Sequence, residues 1–335
     1  SAASDVYKRQ PDEERSYIQV ESSLQALKDL ALLYRNNLDV KVVGITGSVG
    51  KTSTKETISS VLSEKYRVLK TLGNFNNEIG LPLTVFRLTE DDEVAVLEMG
   101  ISDFGEMDRL SKIAQPDICV ITNIGFCHLE NLGTRDGILK AKTEIFNHMN
   151  PDGIVIVNGD DDKLSTISQV HGKRPLVFGI SNKDGVYADN IKSLGLDGTS
   201  FTIHGIKTSD NYSTFDLTVP VPGHHMVYNA MAAALVGSVL GLSSIEIERG
   251  VKNLKTIAGR NNIIKENGFT IIDDCYNANP VSMKASLDVL DTAIGRKVAI
   301  LGSMFELGEN EKQMHYDVGM YLGTCLLYTS DAADD

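Results

Sequence analysis

The chain has 335 residues, 42% of them hydrophobic and 23% charged, with 29 glycines and 8 prolines. That is enough for two or three packed domains and too apolar for a disordered chain. Forty-five acidic against 32 basic residues leave a formal charge of −13, which excludes generic nucleic-acid binding but not a local pocket for a small phosphate ligand. Four cysteines without a Cys-x-x-Cys pair are no disulfide framework. With no apolar run of membrane-spanning length and no signal-peptide pattern, the expectation is a cytoplasmic protein with no membrane insertion.

Leu24, Leu27, Leu30, Ala31, Leu33 and Tyr34 have helical spacing within 16–38. Residues 42–45 read as a short buried strand and 52–62 as the helix after its loop. Further buried strands are expected at 94–97, 118–121 and 154–157, with helices around 104–114 and 137–149. Such alternation predicts βαβ units in a mainly parallel sheet with helices on both faces. From 171 to 222 the texture changes. Runs at 176–178, 201–203 and 215–219 separated by Gly, Asn and Asp read as an antiparallel segment appended to the parallel core. An Ala-rich helix follows over 229–242. Strand–helix alternation restarts at 269–272, 282–290 and 298–301, so a domain boundary is placed near 258–260. Residues 1–10 and 325–335 look foreign to the fold, or else are ordinary frayed ends, and carry no fold expectation.

The strongest local signal is Gly47-Ser48-Val49-Gly50-Lys51-Thr52, a glycine-rich turn between a strand and a helix. Glycines let backbone N–H groups turn toward phosphate oxygens, and the helix N-terminus adds positive potential. Lys51 would reach the β- and γ-phosphates of ATP, and the Thr52 hydroxyl would ligate Mg²⁺. The loop is a variant, because Ile45 stands where the usual spacing has glycine. A phosphate loop alone leaves the reaction open among kinases, transporters, regulatory GTPases and ligases.

Three further features fall after or between these strands. Glu98 follows four apolar residues, so it sits at a strand tip, where it is a Mg²⁺ ligand or simply a surface or capping carboxylate. His128 lies in the segment after the 118–121 strand and reads more readily as a structural histidine than as a ligand. Lys140 and Lys142 read as a solvated helix face.

In order along the chain stand Gly73-Asn74-Phe75-Asn76-Asn77-Glu78-Ile79-Gly80, Glu98-Met99-Gly100, Asn123-Ile124-Gly125 with His128-Leu129-Glu130, and Ala141-Lys142-Thr143-Glu144-Ile145. They are followed by His225 with Asn229-Ala230-Met231, Gly259-Arg260, Asp274-Cys275-Tyr276-Asn277-Ala278-Asn279-Pro280 and Gly302-Ser303-Met304-Phe305-Glu306-Leu307-Gly308. Together with the phosphate loop this set resembles the Mur ligases of peptidoglycan synthesis, in particular the branch that adds D-alanyl-D-alanine to UDP-N-acetylmuramoyl-tripeptide.

The resemblance implies an ATP-dependent ligase working through an acyl phosphate with two Mg²⁺ ions; a monomer is the separate expectation for its assembly. It implies that Thr52 and Glu98 hold one ion and His128 the second, and that Lys142 carries a CO₂-derived carbamate as a further metal ligand. Asn229 then contacts adenine, Asp274 the ribose, Arg260 the ATP phosphates, and Asn74 and Asn77 the muramoyl peptide. The implied domains are 1–40 (a foreign-looking end plus part of an N-terminal UDP-binding domain), 41–258 (ATP-binding) and 259–335 (a partial, Rossmann-like ligase domain with a foreign-looking tail from about 325). Met226 and Asn261-Asn262 depart from the family pattern. Folylpolyglutamate synthase, or a Mur ligase adding a single amino acid, is the nearest alternative. A phosphate-loop regulatory protein or an inactive nucleotide-binding fragment stands further off.

Overall fold

Side chains that alternate between two buried faces build the centre of the molecule. A computed structural model describes residues 18–325 and 329–332; the expectation for 1–10 lies outside them, as does part of 325–335. Strands β1 (Lys41–Thr46), β2 (Val68–Lys70), β3 (Val94–Glu98), β4 (Ile118–Ile121), β5 (Ile154–Asn158), β6 (Leu176–Gly179), β7 (Val186–Ser193), β8 (Thr199–His204) and β9 (Thr214–Val219) form one sheet. Their order is β2-β3-β1-β4-β5-β6-β7-β8-β9. Val43 and Ile45 of β1, Val94 and Val96 of β3, and Ile118 and Val120 of β4 join one core. Val42, Ala95, Leu97, Cys119 and Ile121 join the core on the opposite face. Strands buried on both faces are the mark of a parallel sheet between helical layers.

The helices are α1 (Ser23–Asn36), α2 (Lys51–Leu62), α3 (Gly80–Val85), α4 (Glu106–Ala114), α5 (Leu129–Leu132), α6 (Arg135–Thr143), α7 (His225–Val239) and α8 (Ser244–Lys252). Residues of α2, α7 and α8 supply the first core and residues of α1, α3, α4 and α6 the second. Helix α7 is buried almost all round because Ala230, Ala232, Ala233 and Ala234 take little room. Helices α2 and α8 approach closely at Gly250, where a Cβ would come within 2.4 Å of the Val61 Cα. Only glycine permits that contact.

Residues 176–178, expected in the antiparallel segment, pair parallel with β5. Chain direction first reverses between β7 and β8 and reverses again between β8 and β9, so the antiparallel strands extend the same sheet. The Asp160 carboxylate fastens the loop between β6 and β7. It accepts from the N–H groups of Ile180, Ser181 and Asn182 at 2.6, 3.0 and 2.6 Å and from the Tyr228 hydroxyl at 2.8 Å.

Beyond this sheet, β10 (Asn262–Glu266) and β11 (Phe269–Asp273) form an antiparallel hairpin. Strand β12 (Val298–Leu301) pairs parallel with β13 (Thr329–Ala332), which falls in the stretch set aside as foreign-looking. Helices α9 (Pro280–Asp291) and α10 (Glu311–Leu322) pack with this part around Leu287, Ala299, Met304, Leu307 and Val318.

Candidate nucleotide and metal site

Strand β1 delivers the chain into a loop whose shape is set from outside. The segment after β4 braces it: Ser48 N–H donates to the Asn123 carbonyl at 3.0 Å and Val49 N–H to Asn123 Oδ1 at 2.9 Å. The Thr122 hydroxyl and the Asn123 side-chain amide both donate to the Val49 carbonyl, at 2.8 and 2.9 Å. Gly125 N–H donates to Ser48 Oγ at 2.8 Å. A Cβ at Gly47 would lie 2.0 Å from Thr122 Oγ1, so this brace demands glycine. Gly50, at φ 80°, begins α2 with no side-chain cap. The first N–H groups of α2 therefore face outward at the positive end of the helix dipole, the arrangement that binds phosphate. Lys51 Nζ lies over the loop, donating to the carbonyls of Gly47 at 2.9 Å and Ser48 at 3.3 Å.

Next to this loop, at the end of β3, Glu98 is buried. Its Oε1 accepts from Thr52 Oγ1 at 3.2 Å and from Asn76 Nδ2 at 2.9 Å. Its Oε2 is buried without a hydrogen-bond partner. The nearest cation is the fully buried Lys55, whose Nζ stands 3.8 Å from Glu98 Oε2 and 3.1 Å from Glu56 Oε1. Glu56 pairs in turn with Lys70. The orphaned carboxylate oxygen beside a hydroxyl is a hard-oxygen donor set that suits Mg²⁺. Among the described residues no three His, Cys, Asp or Glu side chains converge into a metal cage. That is compatible with an ion bound through one carboxylate together with substrate phosphates.

The segment after β4 also carries His128, in left-handed backbone at φ 52° immediately before α5. Its Nδ1 lies 2.7 Å from Glu306 Oε2. Burial lowers its pKa, Glu306 opposes that effect, and Lys142 and Lys51 add to it. Lys142, on α6, is not a solvated residue: it is fully buried, whereas Lys140 is exposed and sits over the Phe104 ring. Burial, reinforced by Lys51, lowers the Lys142 pKa to about 7. Among the described residues no carboxylate lies within ion-pairing distance of its Nζ.

The remaining residues singled out in the sequence are placed as follows. Asn229 is buried on α7, its Oδ1 accepting from Thr54 Oγ1 at 3.0 Å and lying 3.6 Å from a Cβ built on Gly50. It therefore borders the loop. Arg260 stacks over the Tyr276 ring at 4.1 Å. Asp274 accepts from Asn261 N–H at 3.0 Å and from the Ser286 hydroxyl. Asn77 is exposed and its Oδ1 accepts from the N–H groups of Ile79 and Gly80 at 3.2 and 2.9 Å, just ahead of α3. Asn74 is exposed. The asparagine of this motif that reaches Glu98 is Asn76.

Sequence reasoning gave no role to Asn76, Lys55, Asn123 or Glu306. The signal for Asn76 and Asn123 was their place inside quoted motifs. Lys55 stands four residues after Lys51 on a helix, where it looks like an ordinary surface charge.

The description "Mur ligase middle domain" matches residues 45–237, more than half of the chain. The chain belongs to the Mur ligase family. A second match, "Mur ligase, glutamate ligase domain", covers residues 259–334. The UDP-N-acetylmuramoyl-tripeptide–D-alanyl-D-alanine ligase of Bacillus subtilis (strain 168) is 43% identical over 312 residues, which are 92% of this chain and 66% of the relative. The chain thus spans just under two thirds of that ligase. Among solved structures, a MurF from Acinetobacter baumannii superposes with a TM-score of 0.89 at 36% identity, covering 98% of this chain and 71% of the other. A MurF ligase from Thermotoga maritima in complex with ADP gives 0.84 at 31% identity, covering 96% and 78%.

Proposed function

We propose that the chain is the ATP-binding core of a ligase that adds D-alanyl-D-alanine to UDP-N-acetylmuramoyl-tripeptide in peptidoglycan precursor synthesis. The observation that carries this is the braced loop with Lys51 and the uncapped α2, set beside the Thr52–Glu98 pair, in a chain 43% identical to such a ligase. That identity runs over 92% of the chain and gives the folylpolyglutamate synthase alternative no comparable support. Residues 41–258 supply the ATP site and 259–335 the part that closes over it. We place the activity in the cytoplasm; no helix among the described residues is long and apolar enough to cross a membrane.

In this reading a carboxylate oxygen of the tripeptide attacks the γ-phosphorus of ATP, and ADP leaves. The amine of D-alanyl-D-alanine then attacks the acyl carbon, phosphate departs and a proton is released. The N–H groups at the start of α2 bind the ATP phosphates, and Lys51 offsets repulsion between two approaching anions. Asn76 holds the Glu98 carboxylate in place. Asn229 and Asp274 serve the adenine and ribose, Arg260 the phosphates, and Asn74 and Asn77 the peptide side. Magnesium ions, when bound, add Lewis-acid charge on the phosphate oxygens; Thr52 and Glu98 would hold one, His128 and a carbamylated Lys142 the other.

Lys142 suits carbamylation because attack on CO₂ requires the neutral amine. The N–C bond forms, the displaced C=O pair becomes a carboxylate oxygen, and the proton leaves the nitrogen. A pKa lowered to about 7 keeps a large share of the amine neutral at physiological pH. Phosphate release measured with UDP-N-acetylmuramoyl-tripeptide, with and without D-alanyl-D-alanine, tests the function. Release should require both substrates, and release indifferent to them would refute it.

A further inference from the structure

We infer that Glu306 is a positioning residue for His128, fixing the imidazole with Nε2 toward the metal and so coupling the metal site to docking of the segment after β12. The inference rests on the proposed role of His128 as a metal ligand and goes beyond it, since the Gly302–Gly308 motif otherwise has no part in the chemistry.

Three observations converge. The first is the contact itself: Glu306 Oε2 is 2.7 Å from His128 Nδ1. A carboxylate only accepts, so the bond places the proton on Nδ1 and leaves the Nε2 lone pair free. Metal-bound histidines are ordinarily oriented in this way by a carboxylate on the other ring nitrogen. The second is backbone conformation. His128 and Glu306 both sit in the left-handed region, at φ 52° and 61°. Neither is glycine, and such conformations persist where the surroundings enforce them.

The third is how the Glu306 loop is anchored. Met304 and Leu307, on either side of it, are buried at 1% and 2% exposure. Met304 N–H donates to His315 Nε2 of α10 at 2.9 Å. Glu306 is the exposed tip of a fixed loop, and it reaches across to the other part of the molecule. His128 is therefore held in ligand geometry only while that loop is docked.

The test uses Mn²⁺ as the probe, titrated into the 335-residue chain saturated with a non-hydrolysable ATP analogue, with free ion read by electron paramagnetic resonance. Nucleotide affinity without metal is measured alongside. Glu306→Gln should weaken Mn²⁺ binding about 10-fold, the lower end for loss of such an orienting partner, and leave metal-free nucleotide affinity unchanged. His128→Ala should weaken it at least as much, and the double variant no further than His128→Ala. Wild-type Mn²⁺ binding in Glu306→Gln, with His128→Ala impaired, would overturn the inference alone. Loss of metal-free nucleotide affinity without a Mn²⁺ change would assign Glu306 a purely structural role and overturn it too. Wild-type binding in His128→Ala would overturn the ligand role beneath it.

Discussion

Lys142 gives the sharpest quantitative prediction, because an amine buried without a counter-charge destabilises the fold that holds it. Its pKa is about 7 in the folded chain against an ordinary 10.5. The unfolded chain therefore binds more protons between those values, and stability rises with pH across that window. At about 1.4 kcal/mol per pH unit, the penalty is about 4 kcal/mol at pH 7 and shrinks to about 1 kcal/mol at pH 10. Lys142→Met keeps the volume and cannot titrate. It should be more stable than the parent by several kcal/mol at pH 7, with most of that advantage gone at pH 10. The assay is urea unfolding of both proteins at the two pH values, in CO₂-free buffer without metal so that the amine stays unmodified. Equal pH slopes for parent and variant would refute the reasoning.

Three other outcomes follow from the same geometry. Lys142→Ala should lose acceptor-dependent phosphate release, and an added short carboxylate should partly restore it; full activity without additive would remove the carbamate role. Lys55→Met strands Glu98 Oε2 in the interior and should cost about 3–5 kcal/mol, the range for breaking a buried pair from one side, read by denaturant unfolding; a loss below about 1 kcal/mol would mean the pair is effectively solvated. Gly47→Ala pushes a methyl to within 2.0 Å of Thr122 Oγ1 and should weaken nucleotide binding about 10-fold through about 1–3 kcal/mol of overpacking, checked by calorimetry, with Thr122→Ala relieving part of it.

Much of the fold was legible because strands β1, β3, β4 and β5 are apolar on both faces and stand out as short continuous runs. Strand β2 has three residues, too few to show a pattern. Strand β7 was missed for another reason: its register shifts between Asp189 and Lys192, and Asn190 sits at φ 51°, so the alternation is broken. The direction of β6 could not be read, since an apolar run carries no information about its neighbour. The phosphate loop was legible because its chemistry is contiguous in sequence. Asn76, Lys55 and Glu306 were not, because their roles arise only when separate segments converge. Burial reverses the character of a charge as well. Lys142 and Lys140 are indistinguishable in a helical pattern, and only packing separates a core amine from a solvated one.

The width of the main sheet has a consequence for how this chain behaves in a crowded solution. Nine strands in one sheet leave two rims where unpaired peptide groups could recruit a strand from another molecule. One rim is the three-residue β2, which ends in Lys70 and follows Arg67, with Lys70 paired to Glu56. The other is β9, which exposes Thr214, Asp216 and Thr218. The brevity of β2 and the exposed Asp216 on β9 make both poor templates for stacking. Substitutions that remove the charge of Arg67 beside β2 would therefore promote edge-to-edge aggregation.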